Sequence, residues 1–231
     1  MFNSTVFKQA FQDSIPVMFG YVPLGAAFGL LFSQLGYHWL YAVSMSLIIF
    51  AGAAQFLAVG LLAAQASLIE ISVAIFILNA RHIFFGLSLI TRYQAIVGWR
   101  KIYVMFGLTD ETYSLLTSHP IKNPMEDQTY ALYLTALNQS YWVIGSVIGL
   151  LLGGNLNIDT TGMDFALTAL FVVLMIEQFK TVQCWSPFII ALVSGALVLV
   201  VIGQDNMLML SILLSIAILL IQGKPWKVPT I

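Results

Sequence analysis

The chain has 231 residues, of which 60% are hydrophobic and 8% charged, and its formal net charge is −1. Soluble domains carry about 25% charged residues, so this composition indicates an integral membrane protein without a sizeable soluble domain. The nearly neutral charge argues against a nucleic-acid-binding protein. A single cysteine, Cys184, excludes an internal disulfide and a cysteine-based metal site.

Several apolar stretches approach the ~20 residues that a helix needs to cross a bilayer. In chain order they are Ile15 to Leu35, Leu40 to Ala64, Leu68 to Ile90, Ala131 to Gly153, Phe165 to Phe179, Pro187 to Gly203 and Met207 to Ile221. A further stretch, Ile102 to Ser118, is interrupted by Thr109-Asp110-Glu111-Thr112, so it could span, re-enter or lie at the interface. The pattern predicts an all-α polytopic protein with about seven transmembrane helices, or eight in the alternative.

The distribution of Lys and Arg favours the count of seven, because these residues collect in cytoplasmic loops. With Arg81 set aside, seven spans place seven cations on one side and only Lys8 on the other, whereas eight spans divide them five to three. We therefore expect the region from Arg92 to Tyr130 and the C-terminus in the cytoplasm, and the N-terminus outside. Both counts place the C-terminus inside.

Two short patterns recur along the chain, at offsets of 124 and 123 residues. The pairs are Gly25-x-x-x-Gly29 with Gly149-x-x-x-Gly153, and Leu47 plus Gln55-Phe56 with Leu170 plus Gln178-Phe179. They predict repeat halves at 15–90 and 131–203 within one transmembrane domain, 1–231. With seven spans the halves enter from opposite sides, which is the inverted repeat of many secondary transporters. Glycines four apart also allow close helix packing.

The run from Phe50 to Phe56 predicts a broken helix. One glycine and three alanines precede a buried glutamine, which leaves space for a ligand and a place where the helix can unwind. An unwound helix exposes backbone carbonyls and a half-helix N-terminus to a charged solute. Gly52 and Gln55 are therefore candidate substrate contacts, and Gln178 is the repeat counterpart of Gln55.

Ionisable residues inside apolar segments are expensive and are usually functional. The set comprises Glu70, Arg81, His82 and Glu177, with Asp110 and Glu111 on the interrupted segment. Glu70 and Arg81 stand ~16 Å apart along one helix and cannot pair. Arg81 and the nearby Asn79 are candidate substrate contacts, unless Arg81 only pins two helices together.

A buried carboxylate could carry a coupled proton, and Glu177 is the first choice. Glu70, Asp110, Glu111 and His82 are the alternatives, although a single membrane histidine is more often a packing residue. Enzyme and metal motifs such as His-Glu-x-x-His, Gly-x-Ser-x-Gly and the phosphate loop are absent from the sequence. The sequence predicts no catalytic residue, metal or cofactor.

The first half of the chain resembles the AzlC family, the large subunits of bacterial two-component branched-chain amino acid exporters. The resemblance rests on Phe19-Gly20, Pro23-Leu24-Gly25, Phe28-Gly29, Phe50-Ala51-Gly52-Ala53-Ala54-Gln55-Phe56, Leu78-Asn79-Ala80-Arg81-His82 and Leu108-Thr109-Asp110-Glu111. In the second half it rests mainly on hydropathy and Glu177-Gln178-Phe179. It implies a multi-pass protein of the bacterial cytoplasmic membrane that exports branched-chain amino acids or methionine with a small AzlD-type membrane subunit.

The residues themselves are compatible with such a substrate. A zwitterion needs an anion site, a cation site and an apolar slot. The half-helix N-terminus or Arg81 could hold the carboxylate, and Glu177 or Glu70 the ammonium. The absence of a nucleotide motif leaves an ion gradient as the energy source. A channel, which needs a continuous polar lining, and a membrane enzyme or structural subunit are the alternatives.

Overall fold

The computed structural model describes residues 4–89, 92, 96–118, 123–155, 172, 175–176, 179, 184–203 and 207–222, and their regular structure is helical. The helices are α1 (Ser4–Ser33), α2 (Trp39–Ser44), a π-helix (Met45–Ile49), α3 (Gly52–Ala63), α4 (Leu68–Asn79), α5 (Arg81–Leu89), α6 (Trp99–Phe106), α7 (Asp110–Ser118), α8 (Pro124–Asn155), α9 (Ser186–Val201) and α10 (Met207–Gln222). By length and composition, α1 and residues 124–154 of α8 are each sufficient to cross a membrane.

Helices α1 and α8 pack side by side and run in the same direction. Near their starts the rings of Phe7 and Tyr133 lie 5.4 Å apart, and near their ends Gly153 faces Ser33. This direction is opposite to the inverted relation that we expected between the two glycine-containing segments. If both helices cross the membrane, they cross it in the same sense.

Glycines make the α1–α8 interface close enough for backbone contact. A Cβ added to Gly149 would lie 2.7 Å from the carbonyl carbon of Ala26, and one added to Gly25 would lie 2.7 Å from the carbonyl oxygen of Trp142. Such distances exclude any side chain, so these positions need glycine. The predicted packing role of the glycines is confirmed.

Residues 39–63, which we call hairpin A, enter the molecule and turn back. The π-helix leads inward, where the Gln139 amide donates to the carbonyl of Leu47 at 2.9 Å. After the turn, the ring of Phe56 packs on Phe28 at 6.1 Å, and α3 continues to Leu62, beside Tyr37. Both ends of hairpin A therefore lie at the C-terminal end of α1, and the prediction of a full span from Leu40 to Ala64 is wrong.

The tip of hairpin A is the helix break that the sequence predicted. Phe50 has left-handed backbone angles, φ 43° and ψ 49°, and Ala51 is extended. A residue other than glycine adopts the left-handed region at a cost on the order of 1–2 kcal/mol. Strained backbone of this kind often marks a functional site.

Residues 99–118, which we call hairpin B, enter from the other end of the molecule. Trp99 lies beside the first turns of α8, and the tip at Gly107 touches Thr135, about a third of the way along that helix. Helix α7 then returns, and the Arg92 guanidinium binds both the Leu116 carbonyl and the Asp127 carboxylate. Of the three possibilities for Ile102 to Ser118, the structure has re-entry.

Helices α4 and α5 together run from one end of the molecule to the other, with a break at Ala80. The pair begins after α3, at the end where hairpin A enters, and Leu89 joins a buried cluster with Val6 and Tyr130 at the opposite end. Thus α1, the α4–α5 pair and α8 run in alternating directions. Helices α9 and α10 pack against each other, with the Ser186 hydroxyl 3.4 Å from Gln222 Oε1.

The N-terminal end of α1 lies at the same end of the molecule as Arg92 and Asp127. The Tyr130 hydroxyl donates to the Asp13 carboxylate at 2.9 Å. The prediction that the N-terminus and the region from Arg92 to Tyr130 lie on opposite sides is therefore wrong. The error arose because residues 40–64 were counted as a crossing. That extra crossing placed the N-terminus on the wrong side of the membrane relative to Arg92.

Candidate functional site

The two hairpin tips and the break at Ala80 meet in one pocket between α1 and α8. Its lining residues are Tyr21, Leu24, Phe50, Ala51, Gly52, Ala53, Phe56, Asn79, His82, Thr109, Asp110, Glu111 and Trp142. Its cavity volume is about 70 Å³. The pocket therefore admits a few waters or part of a small solute.

One wall of the pocket is the N-terminus of α3. The first amide groups of a helix have no acceptor within the helix and carry partial positive charge. The residue before α3 is Ala51, whose methyl side chain cannot cap these amides. The backbone of Gly52 and Ala53 therefore presents an uncapped, electropositive helix end to the pocket.

Another part of the pocket wall carries two acids on the first turn of α7, Asp110 and Glu111. The Tyr21 hydroxyl donates to Glu111 Oε2 at 2.5 Å and lies 2.7 Å from the Thr109 hydroxyl. Behind Thr109, the hydroxyl of Thr112 lies 3.0 Å away. This side of the pocket is anionic, and hydrogen bonds hold it in place.

The rest of the pocket lining is apolar or weakly polar. Leu24, Phe50, Phe56 and Trp142 supply aliphatic and aromatic surface. At the break between α4 and α5, His82 Nδ1 lies 3.1 Å from the carbonyl oxygen of Asn79, and both residues face the pocket. The arrangement offers a cation site, an anion site and an apolar slot to one small solute.

Five of the predicted site residues line this pocket, although they come from four different helices. They are Gly52, Asn79, His82, Asp110 and Glu111. Gln55 is fully buried one turn behind, where its amide oxygen accepts from the Trp142 indole at 2.9 Å. Gln55 therefore holds a wall of the pocket and is not itself part of the lining.

Glu70 lies away from the pocket, at the start of α4. It forms a capping box with Ser67, whose amide donates to Glu70 Oε2 at 2.8 Å. Nine residues of helix, about 13 Å, separate Glu70 from Asn79. The backbone of Arg81 begins α5 beside the pocket, whereas its side chain, Glu177 and Gln178 lie outside the described residues.

The sequence analysis missed Tyr21, Thr109 and Trp142 as site residues. An aromatic residue in an apolar helix looks the same in sequence whether it faces a pocket, a neighbouring helix or lipid. Thr109 lies in the interruption of an apolar segment, and a polar interruption of this kind is a usable signal. Among the described residues no three His, Cys, Asp or Glu side chains come together as a metal site.

The part of the chain that forms this pocket matches a known protein family. A family model described as AzlC protein matches residues 16–156, which include every residue that lines the pocket. The chain belongs to the AzlC family. No solved structure matches it.

Three relatives from this comparison cover most of the chain. An uncharacterized membrane protein of Helicobacter pylori is 37% identical over 222 residues, covering 94% of this chain and 95% of the relative. The branched-chain amino acid transport protein AzlC of Bacillus subtilis is 31% identical over 219 residues, with 95% and 86% covered. The inner membrane protein YgaZ of Escherichia coli is 32% identical over 201 residues, with 84% and 81% covered. This AzlC-family chain is thus a multi-pass protein of the bacterial inner membrane.

Proposed function

We propose that this AzlC-family protein is a secondary transporter that exports branched-chain amino acids, with methionine as a further substrate to be tested. The name of the Bacillus subtilis relative supports the substrate class. The observation that carries the proposal is one pocket lined by both an uncapped helix N-terminus and two carboxylates. This polarity matches a zwitterion.

In the proposed complex the substrate carboxylate lies at the N-terminus of α3, near the amides of Gly52 and Ala53. Half-helix N-termini bind anionic substrate groups in this way in other transporters. The ammonium group lies toward Asp110 and Glu111. The branched side chain then packs on the aromatic walls, where its burial contributes roughly 1.5–3 kcal/mol.

A proton gradient is the proposed energy source, and Glu111 is the proposed coupling group. A carboxylate that faces the pocket can hold either a proton or the substrate ammonium, so the two compete for one site. Alternating access would then exchange an outgoing amino acid for an incoming proton. Glu177 was the first choice for this role in the sequence analysis, and it remains a prediction.

We propose that the end of the molecule bearing the N-terminus faces the cytoplasm. Four cations of the described residues, Lys8, Arg92, Arg100 and Lys101, lie at this end. The positive-inside rule therefore supports cytoplasmic entry for hairpin B and entry from the outer side for hairpin A. The two tips would reach the pocket from opposite faces of the membrane, and movement of either tip would open the pocket to one face.

A small AzlD-type membrane subunit is the proposed partner, on the strength of the family resemblance. Co-expression with the adjacent small hydrophobic reading frame and purification through a tag on either chain tests this assembly. We propose no catalytic role for the protein. A solute channel is the second candidate, but the aromatic walls of the pocket do not favour a continuous polar path.

Transport in proteoliposomes tests the proposal. If amino acid and proton exchange, vesicles that are more acidic inside than outside should accumulate labelled leucine, and collapse of the pH gradient should abolish accumulation. Saturation by unlabelled valine and isoleucine would support a binding site. Flux that neither saturates nor responds to the pH gradient would support the channel instead.

A further inference from the structure

The Trp142 side chain forms part of the pocket wall and is fixed by its packing and a hydrogen bond. Its indole is 3% exposed, and its Nε1 donates to Gln55 Oε1 at 2.9 Å. Three aromatic rings surround it, with centroids at 5.5 Å for Tyr21, 6.3 Å for Phe28 and 6.4 Å for Phe56. A side chain packed and hydrogen-bonded in this way has one available rotamer, so this wall does not yield to a larger ligand.

Gln55 connects that wall to both arms of hairpin A. Its Nε2 donates to the Ser46 hydroxyl at 3.1 Å, and the hydroxyls of Ser46 and Ser146 lie 2.8 Å apart. Ser146 in turn donates to the backbone carbonyl of Trp142 at 2.8 Å. These bonds tie the incoming arm, the returning arm and α8 to one another, and each of the polar groups involved is buried and paired.

The indole also lies directly against the proposed carboxylate site. A Cβ added to Gly52, the first residue of α3, would lie 2.8 Å from Cη2 of Trp142. A substrate whose carboxylate binds the α3 amides therefore carries its side chain toward this ring. Because the ring leaves no room even for a methyl group on Gly52, that side chain can extend only into the space beside the indole, and the indole limits its size.

We infer that Trp142 is the residue that limits substrate size, and that Gln55 is a positioning residue that acts through Trp142. This inference rests on the proposed function and deepens it, because it assigns small and medium aliphatic amino acids as substrates and excludes aromatic ones. A rigid apolar pocket discriminates by roughly 10–200-fold per methylene. The preference for leucine over phenylalanine that Trp142 imposes should be at least as large as this factor.

Competition against leucine counterflow at equal pH tests the inference without any proton gradient. Unlabelled alanine, valine, leucine, methionine and phenylalanine are compared in the wild type and in four variants. Trp142→Phe should lower the preference for leucine over phenylalanine at least tenfold. Gln55→Leu should also lower this preference, and it should raise the KM for leucine. Gln55→Glu should keep the wild-type preference, because a neutral glutamic acid still accepts a hydrogen bond from the indole and donates one to Ser46.

Gln139→Leu is the matched control, because Gln139 also joins α8 to hairpin A but bonds to the Leu47 carbonyl and Tyr103 and not to the indole. It should keep the wild-type preference. An unchanged preference in Trp142→Phe, or equal loss of preference in Gln139→Leu and Gln55→Leu, would overturn the inference. If Trp142→Phe does not fold, the Gln55→Leu and Gln55→Glu pair decides. Absence of leucine counterflow in the wild type would instead refute the proposed function, and with it this inference.

Discussion

The contact between α1 and α8 gives a stability prediction whose size follows from the structure. A methyl group on Gly149 would lie 2.7 Å from the carbonyl carbon of Ala26 and closer still to its oxygen. Ordinary contact begins at 3.4 Å, so the helices would have to separate by at least 0.7 Å, the difference between these distances. Overpacking costs about 1–3 kcal/mol, and backbone atoms cannot rotate away, so Gly149→Ala should cost on the order of 3 kcal/mol.

Thermal unfolding in detergent, followed by loss of the monodisperse chromatographic peak, measures this cost. For a chain of this length 3 kcal/mol corresponds to a fall in Tm of roughly 6–12 °C. Gly20→Ala is the control on α1, since no heavy atom of the described residues lies within 4 Å of its added Cβ. That variant should be unchanged or more stable by up to about 1 kcal/mol. Equal Tm values for the two variants would refute the parallel packing described here.

Three further predictions concern the site and the topology. If Arg81 shares the substrate carboxylate with the N-terminus of α3, Arg81→Lys should lower transport at least tenfold while the protein still inserts, because lysine lacks the planar fork that binds a carboxylate in two places; a wild-type rate per inserted molecule would leave the carboxylate to α3 alone. Glu177→Gln tests the alternative coupling acid, and it should leave pH-driven accumulation at the wild-type level if Glu111 binds the proton; loss of accumulation with exchange at equal pH spared would assign the coupling to Glu177. In a chain without its native cysteine, Lys8→Cys and Arg100→Cys should resist an impermeant thiol reagent in intact cells, whereas Tyr37→Cys should react; labelling of position 8 would refute the topology.

The sequence predicted residues of the candidate site better than the architecture around it. The helix break at Phe50 and the choice of Gly52, Asp110 and Glu111 as candidates, which now line one pocket, all followed from polar or small residues in apolar segments. Such residues are expensive in a membrane unless they line a cavity, so their positions are informative. The same reasoning failed for Glu70, because an acid at a helix start can serve as a cap.

Hydropathy could not separate a re-entrant hairpin from a crossing. The arms of hairpin A are as apolar as a transmembrane helix, because they are buried against α1, α8 and lipid. The left-handed residue at the turn is Phe50 and not a glycine, so the sequence predicted a helix break there but did not show that the chain reverses its direction. The Lys and Arg residues were then counted on a wrong set of crossings. As a result, Lys8 was predicted on the opposite side of the membrane from Arg92.

The central claim is that Glu111 binds the coupled proton in the same pocket that binds the amino acid. Glu111→Gln keeps the shape of the side chain and an oxygen that accepts from Tyr21, but it cannot exchange a proton. Leucine uptake into acid-loaded proteoliposomes is the direct measurement. In this variant we expect uptake to fall to the level seen without a pH gradient, while counterflow at equal pH continues with a raised KM. Accumulation driven by the pH gradient at the wild-type level would contradict the account.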